Sequence, residues 1–86
     1  MRLEVESITN QNAEAVAAAG EKSIRGGDLV VDFGAVKRCD TAALACILAW
    51  LRVARERRGE LSLVALPQVL SSLAKLYRVE HLLGVI

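Results

Sequence analysis

Residues 29–58 read LVVDFGAVKRCDTAALACILAWLRVARERR and decide the fold. The first five are a compact apolar run, which is typical of a central strand covered on both faces in a mainly parallel sheet. Asp40 and Thr41 are good N-cap residues, and the apolar spacing after them predicts a long helix over residues 42–58 that ends at a glycine. A strand followed by an amphipathic helix predicts an α/β arrangement.

The flanking segments repeat this alternation. Residues 1–8 alternate apolar and polar side chains with a period of two, which predicts a half-buried strand. Residues 13–24 form an alanine-rich segment that predicts a helix, and a Gly-Gly pair follows as its stop. Residues 61–65 predict a third strand, and Pro67 is placed to begin a third helix. The sequence therefore predicts an α/β fold, with a mainly parallel or mixed sheet covered by helices.

Size and composition restrict the classes of function. Hydrophobic residues make up 53% of the 86 residues and charged residues 24%, so we expect one packed domain over residues 1–86. The formal net charge of +1 disfavours nucleic acid and direct membrane binding. The one basic cluster lies at the predicted end of a helix, where cations complement the helix dipole, and no aromatic residue is interleaved with it. Its members are Arg52, Arg55, Arg57 and Arg58.

Few residues are suited to metal binding or redox chemistry. Cys39 ends a predicted strand, Cys46 lies inside the next predicted helix, and His81 is far along the chain, so we expect no metal site, no cofactor and no structural disulfide. The sequence shows neither a signal peptide nor an apolar run near 18 residues. These patterns predict a cytoplasmic protein with reduced thiols.

The predicted helix over residues 42–58 carries two apolar stripes. At 100° per residue, one stripe is expected to face the sheet. A domain this small cannot readily enclose a helix, so we expect the second stripe to stay exposed and to bind a partner protein; the alternative is that a loop or the C-terminal tail covers it. The core stripe comprises Leu44, Ile47, Leu48, Leu51 and Ala54, and the predicted partner-binding stripe Ala42, Cys46, Ala49, Trp50, Val53 and Arg57.

Asp40 and Thr41 precede this stripe, and both are included in the predicted partner-binding site. Either side chain could simply cap the helix. A phosphate on Thr41 would instead add nearly two negative charges beside Asp40 and the docking stripe, so Thr41 is also a candidate phosphoacceptor. Spacing alone leaves both roles open. On the last helix, Lys75 and Tyr77 are further candidates for partner contact, although Tyr77 is equally suited to the core.

Several stretches resemble a known family. They are LVVDF, CDTAALA and LSLV at residues 29–33, 39–45 and 61–64, with LAKLY at 73–77 and VEHLL at 79–83. Together they resemble the STAS domain of anti-sigma-factor antagonists and transporter accessory proteins, and within it the MlaB subgroup. The resemblance places Thr41 at the family's Ser or Thr, which is phosphorylated in sigma-factor regulators and contacts the partner in the transport subgroup.

The chain also departs from the family pattern. Ala43 stands where many members have glycine. The family's usual extra strand before the first strand is missing or displaced, which leaves a sheet edge open to pairing with another chain and predicts a homo-oligomer as one outcome.

The resemblance implies a non-catalytic adaptor that binds the ATPase subunit of an Mla-type phospholipid-transport ABC complex. Such an adaptor would support the lipid asymmetry of the outer membrane and reach the inner face of the inner membrane only through its partner. The alternative is a phospho-switched anti-sigma-factor antagonist, in which a kinase modifies Thr41 and releases the complex. An enzyme or nucleotide binder is a third reading, disfavoured because the sequence has no phosphate loop and no Gly-rich dinucleotide turn.

Overall fold

A computed structural model of the chain describes residues 1–78. Helices and parallel strands follow the order that the hydrophobic pattern predicts, except that a further short strand at residues 38–39 comes between the second predicted strand and the second predicted helix. The predicted α/β fold class is confirmed. The C-terminal tail, with the 79–83 motif and His81, lies outside the described residues. The elements are β1 (Ser7–Ile8), α1 (Ala13–Arg25), β2 (Val30–Asp32), β3 (Arg38–Cys39), α2 (Thr41–Glu56), β4 (Ser62–Val64) and α3 (Gln68–Leu76).

The strands pair in parallel, in two short ladders joined by the N-terminal segment. Strand β1 pairs with β3, and β2 pairs with β4. Near the N-terminus, Arg2 forms a parallel bridge with Asp32, and the amide of Leu3 donates to the Asp32 carbonyl at 3.0 Å. The strand predicted over residues 1–8 is therefore two short pairing segments, one beside β2 and one beside β3. Pairing of an outer strand with another chain stays a prediction.

Strand β2 lies centrally, between β4 and the N-terminal segment, but among residues 1–78 only one of its faces is covered. Val31 is fully buried, whereas Val30 is 44% exposed, and Val64 on β4 is 41% exposed. Val64 pairs with Asp32, two residues from Val30 along β2, so the two exposed valines point to the same side of the sheet. The prediction of a strand covered on both faces is wrong at this point, because the helices pack against the Val31 side.

Short-range chemistry fixes the ends of the helices. Asn12 occupies the N-cap of α1, although its side chain turns back to the Ser7 carbonyl at 2.8 Å. The predicted Gly-Gly stop is present: α1 ends at Arg25, Gly26 is its C-cap, and Gly27 has a φ of 102°, which favours glycine. Pro67 is the N-cap of α3. Within residues 1–78, no helix is both long enough and apolar enough to cross a bilayer.

The core lies between the helices and the sheet. Phe33 and Trp50 are at its centre, with ring centroids 6.2 Å apart and planes tilted by 53°. The fully buried large side chains come from strands β1 and β2, the residue after β2 and all three helices. They are Trp50, Phe33, Ile8, Ile24, Ile47, Leu70 and Val31. Helix α2 therefore lies in the middle of the packing, and its orientation determines which of its residues can reach a partner.

Candidate partner-binding surface

Helix α2 is buried along a face that lies between the two predicted stripes. The predicted core residues Leu44, Ile47 and Ala54 are buried as expected, but Leu48 is 41% exposed. The expected exposure of the second stripe is wrong for three residues, because Cys46, Trp50 and Val53 are all buried. Of its other members, Arg57 is exposed, and Ala42 and Ala49 are half-buried.

Helix α1 covers the second stripe. The indole Nε1 of Trp50 donates a hydrogen bond to the Ala17 carbonyl at 3.0 Å, and the Cys46 thiol lies 3.4 Å from the Ala13 carbonyl. Gly20 faces the indole so closely that a Cβ at this position would lie 2.3 Å from Trp50 Nε1. Small residues on α1 thus let the two helices approach, and α2 has two apolar sides because it packs against both the sheet and α1.

This packing changes the candidate site. A partner cannot contact Trp50 without opening the core, so exposure no longer supports a role for Trp50, Cys46 or Val53 in docking. The covering element is α1, whereas the expected alternative was a loop or the C-terminal tail.

A different stripe of α2 faces solvent. Its residues are spaced by four, three, four and three positions, which places them on one face of the helix. All five are exposed: Thr41, Ala45, Leu48, Arg52 and Arg55. We call this set the α2 outer stripe. It begins at the predicted Asp-Thr pair, is apolar in its middle and ends in two arginines.

Tyr77 extends the apolar part of the outer stripe towards α3. A groove of about 370 Å³ is lined by Thr41, Leu44, Ala45, Leu48 and Tyr77. Tyr77 is 55% exposed, which places it at the surface and not in the core. Thr41, Leu48 and Tyr77 therefore border one shallow, mainly apolar groove, of the kind that accepts a side chain from a protein partner.

At the N-terminus of α2, one residue of the Asp-Thr pair caps the helix and the other is exposed. Asp40 is the N-cap, and its carboxylate accepts a hydrogen bond from the Ala42 amide at 2.8 Å. Thr41 is the first residue of the helix and is exposed. Because Asp40 caps the helix, the Thr41 hydroxyl is not needed for capping and is accessible from solvent at the end of the outer stripe.

Neither cysteine is arranged as a reactive nucleophile. Both thiols are free. Burial raises the pKa of the Cys39 thiol, and the neighbouring negative charge of Asp40 raises it further. Burial likewise raises the pKa of Cys46. Both thiols are therefore protonated at neutral pH, which lowers their nucleophilicity. Within residues 1–78, no group of three or more His, Cys, Asp or Glu side chains is placed to hold a metal ion.

Comparison with protein families identifies the fold. The family model described as "Mlab, STAS domain" matches residues 2–84. The chain belongs to the MlaB-like STAS domain family. STAS domains are generally non-catalytic binding domains, and the family supports a role as an adaptor or as an antagonist of the anti-sigma type. No curated protein matches the chain significantly.

Sequence reasoning missed the middle of the outer stripe of this STAS domain. Ala45 and Leu48 were assigned to no site or to the core, and Arg52 to a solvated helix end. The signal that could have found them is on α1, where Ala13, Ala17 and Gly20 form a small-residue face. A small face of this kind favours close packing against the Trp50 side of α2, which would have left the Leu48 side for solvent.

Proposed function

We propose that this STAS domain is a non-catalytic adaptor that binds the ATPase subunit of an Mla-type phospholipid-transport ABC complex. The α2 outer stripe and the groove beside Tyr77 form the docking surface. The observation that carries the proposal is the accessible Thr41 hydroxyl at the start of an exposed apolar stripe, in a chain of the MlaB-like family.

The chemistry of the surface supports a protein partner. Leu48 and Tyr77 supply apolar area, Ala45 allows close approach, and Arg52 lies at the margin. Apolar centres with aromatic and arginine residues are enriched in protein interfaces. Asp40 contributes through the helix start that it caps, while Ala42 and Ala49 border the stripe on the α1 side. The surface supplies contacts and no reacting groups, so its role is to hold the ATPase.

Substitution of the outer stripe tests the proposal. We expect Leu48→Asp to weaken binding to the purified ATPase subunit by about tenfold or more, because it places a charge in the apolar centre of the interface. Thr41→Glu should weaken binding as well, while an acidic residue in the first helical turn keeps α2 stable. Isothermal titration with the ATPase subunit from the same organism measures both effects.

Val64→Asp is the matched control for Leu48→Asp. Val64 and Leu48 are each 41% exposed, but Val64 lies on the open face of the sheet, away from the helices. Circular dichroism melting verifies that each variant is folded. Equal affinities for the Leu48→Asp and Val64→Asp proteins would exclude the outer stripe, and a wild-type protein that does not bind the ATPase would exclude the proposed partner.

The signalling role is the second candidate, and the accessibility of Thr41 favours it. In this alternative, a kinase of the anti-sigma type phosphorylates Thr41, and the added charge beside Asp40 repels the partner. The discriminating experiment offers the STAS domain to an Mla-type ATPase and to a histidine-kinase-like anti-sigma factor. Binding to the anti-sigma factor alone, with loss on Thr41→Glu, supports the alternative.

A further inference from the structure

The C-terminal end of α2 carries a concentration of positive charge. Four exposed arginines fall within seven residues, in a chain whose formal net charge is only +1. Glu56, the acidic residue among them, lies 3.8 Å from Arg25 on α1. Within residues 1–78, none of these four forms an ion pair: Arg52, Arg55, Arg57 and Arg58.

Two of these arginines border a groove between the end of α2 and the start of β4. The groove has a volume of about 480 Å³, and Arg55, Arg58 and Ser62 contribute polar groups to its wall. Its apolar lining comes from Leu51 and Leu61 together with neighbouring small residues. Glu60 also lines it, so the groove holds two cationic side chains and one acidic one.

Arg58 lies in the turn that ends α2. Arg58 has a φ of 57°, the left-handed conformation that glycine usually supplies at this position after a helix. The Gly59 amide donates to the Ala54 carbonyl at 2.9 Å, and the Arg57 amide donates to the Val53 carbonyl at 3.1 Å. Because these bonds pair the carbonyl oxygens at the end of α2, an anion in the groove would not face unpaired carbonyls.

We propose that the Arg55–Arg58 groove binds an acidic segment of the same protein partner that docks on the α2 outer stripe. This inference rests on the proposed function. Arg55 belongs to the outer stripe and to the groove wall, so the two surfaces are continuous along one helix face. Leu48 and Arg55 are seven residues apart, which is about 10 Å along a helix and well within one interface.

Carboxylates suit this groove because guanidinium groups bind them in a bidentate manner. The apolar walls from Leu51 and Leu61 can accommodate the stem of a glutamate or an adjacent apolar residue. Because the groove is continuous with the α2 outer stripe, we expect it to bind a protein segment and not a lipid surface. Binding to anionic vesicles is measured as the alternative outcome.

A peptide experiment tests the groove without the ATPase. The probe is a fluorescein-labelled peptide of alternating Glu and Ser, compared with a peptide of the same length made of Gln and Ser. We expect the wild-type domain to bind the acidic peptide at low ionic strength, and the double variant Arg55→Gln/Arg58→Gln to lose about tenfold in affinity. The control Arg2→Gln/Lys37→Gln removes the same charge from exposed positions elsewhere and should retain binding.

Binding kinetics with the ATPase subunit test the link to docking. The Arg55→Gln/Arg58→Gln protein should associate about tenfold more slowly than the control at low salt, and the difference should shrink at high salt. Equal behaviour of the two double variants towards both peptide and ATPase would overturn the inference while leaving the proposed function in place. The inference would also be overturned, in favour of a lipid surface, if the Arg55→Gln/Arg58→Gln protein lost binding to phosphatidylglycerol vesicles but kept its binding to the peptide and to the ATPase. A wild-type domain that binds the acidic peptide through these arginines but not the ATPase refutes the proposed function separately.

Discussion

Replacing Trp50 with alanine is expected to destabilise the protein strongly. Trp50 is fully buried, donates its indole N–H to the Ala17 carbonyl and packs against Phe33. Truncation of a buried tryptophan costs about 3–5 kcal/mol, and it also removes the hydrogen bond from the indole to the Ala17 carbonyl. Because small domains have a total stability of roughly 5–15 kcal/mol, this loss is a large fraction of the free energy of unfolding.

Urea denaturation followed by far-ultraviolet circular dichroism measures the loss. Trp50 is the only tryptophan, so its fluorescence cannot report on the variant. Leu48→Ala on the same helix is the control and should cost less than about 1 kcal/mol, because Leu48 is partly exposed. If Trp50→Ala were as stable as Leu48→Ala, the packing of α1 on α2 described above would be wrong. Trp50→Ala is accordingly unsuitable as a binding variant.

Adding a single methyl group at Gly20 is expected to destabilise the protein at the contact between α1 and Trp50. The new Cβ would lie 2.3 Å from Trp50 Nε1 and 2.4 Å from Cε2, so the indole or α1 must shift. Alanine normally gains about 1 kcal/mol over glycine inside a helix, but overpacking a core costs about 1–3 kcal/mol. We therefore expect a net loss of stability on Gly20→Ala, despite the better helix propensity.

Gly26→Ala is the matched control for this substitution. Gly26 has a φ of −80°, and a Cβ there would be 3.4 Å from the nearest atom, the Ser23 carbonyl oxygen. Alanine at this position should leave stability unchanged or raise it slightly. A double-mutant cycle with Trp50→Phe then isolates the contact, since the cost of Gly20→Ala should fall when the indole is absent. An undiminished cost would mean that Gly20 acts through something other than Trp50.

The hydrophobic pattern of the sequence was sufficient to predict the fold. The run at residues 29–33, the period of two near the N-terminus and the capped helix after Asp40 all fall on elements of the expected type. The N-terminal strand was predicted as one piece, whereas residues 1–3 pair with β2 and residues 7–8 with β3. Periodicity shows which side chains are buried, but it does not show where a strand changes its partner.

The candidate surface was only partly predictable. Local chemistry predicted that the Asp-Thr pair would cap the helix, but not that Asp40 would be the cap and leave Thr41 exposed. The rotation of α2 about its axis was not predictable from α2 itself. It depends on Ala17 and Gly20 of α1, which admit Trp50 and thereby turn Leu48 outwards.

Site-specific photo-crosslinking to the ATPase subunit tests the central claim most directly. A benzophenone amino acid is placed at Leu48 in one protein and at Val64 in another, two positions that are equally exposed on different sides of the fold. The docking surface described above predicts an ATPase crosslink from position 48 and none from position 64. A crosslink from position 64 with none from position 48 would contradict it.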